Sequence, residues 1–176
     1  MGDDRRLDIA ISPEIMLKMV VILEELYFYA GARLERQKIA QATLFFLAAY
    51  LGSLRGEEVL RIVRAHLIEL NIISMSEVGA EHAVLPLFGA FKGEGNVARC
   101  HLMTLLLATK SGFDIGKWIV IVSRFEKDSN NKFLFLDESG KREFANQYAE
   151  NFTRTLEEVR IQFPNLFPAN INIEEG

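Results

Sequence analysis

Tyr50-Leu51-Gly52-Ser53-Leu54-Arg55-Gly56-Glu57-Glu58-Val59-Leu60 is a break between two apolar helical patterns, and the fold reads outward from it. The apolar run Leu44 to Leu51 leads into Gly52. A helix is expected to close there, because glycine takes the left-handed conformation that other residues resist. Ser53 suits the N-cap of a following helix, and Glu57 and Glu58 suit the positive end of its dipole. Arg55 is the odd residue, a cation in a first turn where the dipole disfavours it. Glu58 follows three residues later on the same helical face, so spacing alone gives an ordinary and weak surface pair.

The chain has 176 residues, a one-domain length with room for a real core. Apolar residues make up 49% and charged ones 25%, which are ordinary globular values. A formal charge of −4 gives no sign of a general nucleic-acid or membrane surface, although a local basic patch is compatible with it. The single cysteine, Cys100, excludes an internal disulfide framework and suits a reducing compartment. Met1-Gly2-Asp3-Asp4-Arg5-Arg6 is not followed by a signal-peptide core, and the longest uncharged run, Ile39 to Leu54, is too short and too polar to span a bilayer. A soluble, intracellular protein with no membrane partner is expected.

Upstream of the break, Ser12-Pro13-Glu14 is a helix start: a capping hydroxyl, a proline at the first helical position, then an acid. Met16, Met19, Val20, Leu23, Leu26 and Tyr27 recur at helical spacing and predict a core face, with Gly31 ending the helix. A second helix is expected from about Leu34 to Leu51, apolar nearly all round from Ala42 and therefore central. A third, from Leu54 to about Leu70, repeats Val59, Ile62, Val63, His66 and Leu67, with His66 read as a packed histidine. Asn71 to Glu81 reads as loop.

The period then changes. His82 to Phe91 is short, apolar and β-friendly, and Pro86 argues for an edge strand. Lys92-Gly93-Glu94-Gly95-Asn96 is a polar turn, and Val97 to Thr109 supplies a return strand, predicting a β-hairpin. The turn lacks the spacing of a phosphate loop or of a dinucleotide fingerprint. By position alone, Lys92 is a solvated charge at a hairpin tip. Cys100, His101 and a facing His82 give at most three zinc ligands where a structural site needs four, so no metal is expected.

Downstream, Asp114 caps a helix through Trp118, Ile119, Val122 and Phe125, with Trp118 in the core. Lys127 to Lys132 is a loop without the ligand order of a calcium site. Phe133 to Leu136 is extended, and Asp137-Glu138-Ser139-Gly140 is a turn. Ala145, Ala149, Phe152, Leu156, Val159 and Phe163 form the stripe of a last helix, ended by Pro164 and Pro168. The expected fold class is mainly α with one small antiparallel β-hairpin (α+β). Residues 1–12 form a tail, 13–168 the domain and 169–176 a polar tail.

Leu51-Gly52-Ser53-Leu54-Arg55-Gly56-Glu57-Glu58 resembles the first active-site box of the tyrosine recombinases (the phage-integrase family). That box has a Gly, a Leu-Arg pair and a Glu three residues after the Arg. Arg55 and Glu58 match it; Leu51 stands where Thr is usual, and Ser53 is an insertion between Gly52 and Leu54. In that family the Arg binds the scissile phosphate and the Glu supports it. A lysine on the hairpin after the Arg helix acts as general acid on the departing 5′ oxygen, and the resemblance gives Lys92 that role. Phe88 to Glu94 also resembles the hairpin of a divergent branch found in integrase-like genes of eukaryotic mobile elements. The resemblance runs from about residue 13 to 176 and covers only the front of the family's catalytic domain. The second box, with its second Arg and the nucleophilic Tyr, has no counterpart, and Tyr27, Tyr29, Tyr50 and Tyr148 all precede where it would begin.

The resemblance therefore implies a truncated strand-exchange domain. Arg55 and Lys92 would be its catalytic residues and Glu58 would support them, with DNA as partner, no cofactor, and nuclear placement if the source is eukaryotic. Lacking a nucleophile, it is expected to form no covalent intermediate. Two other readings stand beside it: a DNA- or protein-binding module on the same scaffold, and an unrelated helical interaction protein. The recombinase reading predicts that Arg55 and Lys92 converge on one face. It also predicts that the faces Leu44 to Leu51 and Phe152, Leu156, Val159 are left uncovered, favouring self-association or a complementing C-terminal segment.

Overall fold

Ser12 starts the first helix, α1 (Pro13–Tyr29), as its chemistry requires: its hydroxyl accepts from the Ile15 amide at 3.2 Å, and Pro13 follows at the first helical position. The computed structural model describes residues 11–62, 82–88, 100–106, 108–109, 112–125, 133–141, 143 and 145–168. Among these the chain is mainly helical. Ile15, Met16, Met19, Ile22 and Leu23 are the buried face of α1. Leu26, expected on that face, is 51% exposed. The helix ends at Tyr29 and Ala30, ahead of Gly31, with the Ala30 amide bonded to the Leu26 carbonyl.

The second helix, α2 (Arg33–Gly52), is the centre of the fold, with residues 40–48 buried without a break. It packs against α1, α4 (Ile115–Phe125) and α5 (Ala145–Gln162), so it meets no water over its middle turns. Each apolar side chain fully buried there contributes roughly 1.5–3 kcal/mol. Its two buried polar residues are satisfied: Thr43 donates to the Ile39 carbonyl at 2.8 Å, and Gln41 bonds the backbone of Leu136.

Asp114 caps α4 by accepting from the Lys117 amide at 3.0 Å. Trp118 is 1% exposed and meets Tyr27 of α1 edge-on at 5.6 Å. On α5 the buried residues are Tyr148, Thr155, Leu156 and Val159. Ala149, expected in the core, is exposed, because the covered face is rotated toward Tyr148, which stacks on Phe45 at 4.2 Å. The faces expected to be bare are thus largely covered: Leu44 and Leu47 are buried under neighbouring helices, and so are Leu156 and Val159. A 3-10 turn over Pro164–Leu166 follows α5.

Of the third helix, expected from Leu54 to about Leu70, residues 63–70 lie outside the described residues. The described helix α3 is one turn, Gly56–Val59. The Arg61 and Ile62 amides then bond the Glu58 and Val59 carbonyls at 3.1 Å in the tighter i to i+3 pattern, and the Ile62 carbonyl accepts from the Leu134 amide at 3.1 Å. Val59 and Ile62 are β-branched, and Ile62 gains a backbone partner in the 133–136 segment, whose Leu134, Phe135 and Leu136 are all buried. His66 lies outside the described residues. Strands β1 (His82–Phe88) and β2 (Cys100–Leu106) pair antiparallel, from His82 opposite Leu106 to Phe88 opposite Cys100. Residues 89–99, and with them Lys92, lie outside the described residues. No helix among the described residues is long and apolar enough to cross a membrane.

Candidate functional site

The corner between α2 and α3 is built differently from its sequence expectation. Gly52 remains helical, and Ser53 takes the left-handed conformation at φ 51° and ψ 37°. The Leu54 amide then bonds back to the Ala49 carbonyl at 3.0 Å, closing the helix end in the manner of a Schellman turn. A serine in this conformation costs about 1–2 kcal/mol relative to a right-handed one, and the recovered carbonyl bonds offset it. Arg55 is consequently the N-cap of α3, in extended geometry, rather than a first-turn residue.

That placement exposes the guanidinium. The Arg55 side chain is 67% exposed, and its Nε lies 4.0 Å from Glu58 Oε1, beyond hydrogen-bond range. Its N–H donors are therefore uncommitted among the described residues. Glu58 is the more enclosed partner, with its side chain 20% exposed. Gly56 sits at a close approach. A Cβ on it would stand 3.1 Å from the Ala145 Cβ and 3.3 Å from Phe45 Cζ, so the corner is pressed against α5 and α2.

Arg55 and Glu58 line a groove of about 1210 Å³ between the C-terminal half of α2, α3 and the first turns of α5. Phe46, Ala49 and Phe152 supply an apolar wall, and Glu57 and Arg61 sit beside the corner. Tyr50 lines the same groove, with its hydroxyl donating to the Ile11 carbonyl at 3.4 Å. The sequence reading singled out Arg55 and Glu58 but missed this wall. The i, i+3 spacing of Phe46, Ala49 and Gly52 marks such a face, but only the position of α5 shows that it lines a groove rather than solid core.

Lys92 falls outside the described residues, so its distance from Arg55 is not part of this geometry. The three residues considered for zinc do not share a place on the ladder: Cys100 and His101 stand at one end of β2, and His82 at the far end of β1, opposite Leu106. Six residue steps along a strand correspond to roughly 20 Å.

On the other side of Tyr148 lies a polar groove of about 560 Å³, lined by Gln41, Asp137, Glu143 and Asn151 among others. Burial raises the Glu143 carboxyl above its usual range, and the Asp137 charge adds to the effect. Asp137 is shifted the other way, held low first by the Ser139 hydroxyl and then by the Lys141 amide. Tyr148 is 4% exposed, and its hydroxyl has the Gln41 amide as a neighbour but makes no well-formed hydrogen bond among the described residues. Its polar neighbour Gln41 is committed to Leu136 through both ends of the amide. Burial, with the Glu143 charge second, drives the phenol far above its ordinary pKa. A buried hydroxyl without a partner costs about 1–3 kcal/mol. Tyr148→Phe, which keeps the stack on Phe45, is expected to be neutral or to stabilise the protein by about 1 kcal/mol in urea unfolding. A clear loss of stability would show that the hydroxyl is bonded in solution.

Comparison of the chain with protein-family models, with curated proteins and with solved structures returns no match.

Proposed function

We propose that this chain is a tyrosine-recombinase-like domain that binds the phosphate backbone of DNA through Arg55, with Glu58 steadying the guanidinium and Lys92 acting from the tip of a β-hairpin. The observation that carries the reading is the state of Arg55: an N-cap arginine at a sharp corner, two-thirds exposed, with no hydrogen bond among the described residues, at the edge of the large groove. Guanidinium geometry suits bidentate contact with two phosphate oxygens, which a lysine cannot reproduce. In strand exchange the same contact would stabilise charge growing on the phosphoryl oxygens, and Lys92 would protonate the leaving 5′ oxygen. None of the four tyrosines is assigned as nucleophile, so the role given to these residues is phosphate binding rather than cleavage. In a eukaryotic source the reading implies a nuclear protein.

Arg55→Ala is expected to weaken binding of duplex DNA about tenfold and to reduce the slope of log K against log salt by about 0.9, the signature of one lost phosphate contact. Unchanged affinity and slope would sink the reading. The same protein incubated with a nicked suicide substrate is expected to give no denaturant-resistant adduct. An adduct abolished by Tyr50→Phe would instead make Tyr50 the nucleophile.

A second reading is favoured by one observation, the apolar wall of Phe46, Ala49 and Phe152 beside Arg55. A protein segment with an acidic residue and a neighbouring large apolar one would fit that wall and that cation together. Duplex binding that ignores Arg55, with saturable binding of such a peptide lost in Arg55→Ala, would select it.

A further inference from the structure

Three helix ends meet at the opposite end of α2. Ala30 closes α1, Ala32 opens α2, and Phe125 ends α4. Arg33, Arg36 and Arg124 line one cleft of about 390 Å³ between these ends, with Tyr27 and Phe125 among its walls and no carboxylate among the described residues of its lining. Two of the three are fixed in place: Arg33 Nη2 donates to the Phe125 carbonyl at 2.9 Å, and Arg36 Nε donates to the Ala30 carbonyl at 2.7 Å. Each bond satisfies a carbonyl at or just past a helix C-terminus and leaves most of that guanidinium's donors uncommitted. Arg124 makes no hydrogen bond or ion pair among the described residues. The two C-terminal dipoles offset about one unit of the positive charge, so the cleft remains cationic in a chain whose formal charge is −4.

The last turn of α1, which leads into the cleft residue Gly31, carries two exposed aromatic residues. Phe28 is 62% exposed and Tyr29 is 88% exposed. Tyr29 stands two residues before Gly31 of the cleft lining, whereas Phe28 meets Tyr27 edge-on at 5.5 Å with the Lys117 ammonium 5.8 Å over its ring. Guanidinium groups held by backbone carbonyls, next to solvent-facing rings, match what a flexible strand of nucleic acid offers: phosphates for the cations and unstacked bases for the rings. A folded acidic protein surface would use the cations but has no need of the exposed rings.

We propose that this cleft is a binding site for single-stranded nucleic acid, with phosphates held by Arg33, Arg36 and Arg124 and a base stacked on Tyr29. It is distinct from the Arg55 corner. α2 has 20 residues, and at 1.5 Å per residue it holds the two places roughly 30 Å apart. The site does not require the recombinase reading to be right.

The test is fluorescence anisotropy of the full chain with a labelled oligothymidine, a duplex of the same length, and polyglutamate as competitor. Arg124→Glu is the variant of choice because it breaks no bond among the described residues, and its urea midpoint is expected to match the parent's. It should weaken single-strand binding at least about tenfold and lower the salt slope by about 0.7. Tyr29→Ala should weaken it at least about fivefold with the slope unchanged, since stacking releases no counterion. Arg55→Ala separates the two sites. Loss of single-strand binding in Arg124→Glu with Arg55→Ala intact supports the cleft, and the corner is judged separately by duplex binding. Loss in Arg55→Ala with Arg124→Glu intact overturns the cleft and leaves the corner standing. No binding by the parent, equal affinity for the duplex, or a polyglutamate interaction that disappears in the same variants would each overturn the proposal, the last assigning the cleft to an acidic protein partner.

Discussion

Replacing Trp118 with alanine is expected to remove about 4 kcal/mol of stability. The indole is 1% exposed and lies where α4 packs onto α1 and α2, with Tyr27 set edge-on against it at 5.6 Å. Truncation removes the transfer energy of the ring and leaves a cavity between helices that cannot fully close, because Ile115, Ile119 and Val122 are themselves packed in place. For a chain of this size the loss corresponds to a fall in melting temperature of roughly 10 °C. Trp118→Phe keeps most of the contact and should lose well under half as much. Urea unfolding with a common slope decides it, and a Trp118→Ala loss below about 2 kcal/mol would mean that α4 is less firmly docked than its burial implies. The effect reaches the arginine cleft, because Arg33 is held by the carbonyl that ends α4.

Gln41→Ala is the second large effect and has a different origin. Gln41 is 3% exposed in the middle of the apolar helix, where a polar side chain survives only if bonded. Its amide donates to the Leu136 carbonyl at 2.9 Å and accepts from the Leu136 amide at 3.4 Å, so one side chain stands in for a strand partner of the 133–136 segment. Alanine leaves both backbone groups buried and unpaired, each costing about 1–3 kcal/mol, for a total near 3 kcal/mol. Hydrogen exchange gives the specific readout: the Leu136 amide should lose protection by more than the global loss of stability explains. A variant that loses less than about 1 kcal/mol, with Leu136 still protected, would show that the segment is held by Leu134 and Phe135 packing alone.

The features legible in the chain were those whose cause is local. Ser12-Pro13 and Asp114 start their helices because a capping oxygen acts within three residues. The Asp137 turn closes on its own Ser139 and Lys141 for the same reason. Trp118 was legible because its whole helical neighbourhood is apolar, and the unbroken apolar run of α2 could only be central. Arg55 stood out because a cation at a helix start conflicts with the dipole, and a conflict of that kind is visible without coordinates.

Tertiary contact decided the rest. Whether Gly52 or Ser53 would turn left-handed depends on how far α2 runs before Leu54 can reach the Ala49 carbonyl. After the single α-turn Gly56–Val59 the Ile62 carbonyl meets the Leu134 amide, a partner seventy-two positions away that no helical periodicity encodes. Tyr148 is buried and Ala149 exposed because Phe45 offers a ring to stack on, which sets the rotation of α5. Arg33, Arg36 and Arg124 read along the chain as scattered surface charges. They share a cleft only because three helix ends meet there, and helix ends meet where packing of the apolar faces puts them. Capping, turn chemistry and hydrophobic period act over a few residues and are written in the chain, whereas the composition of a site depends on contacts between distant segments and exists only once the core has formed.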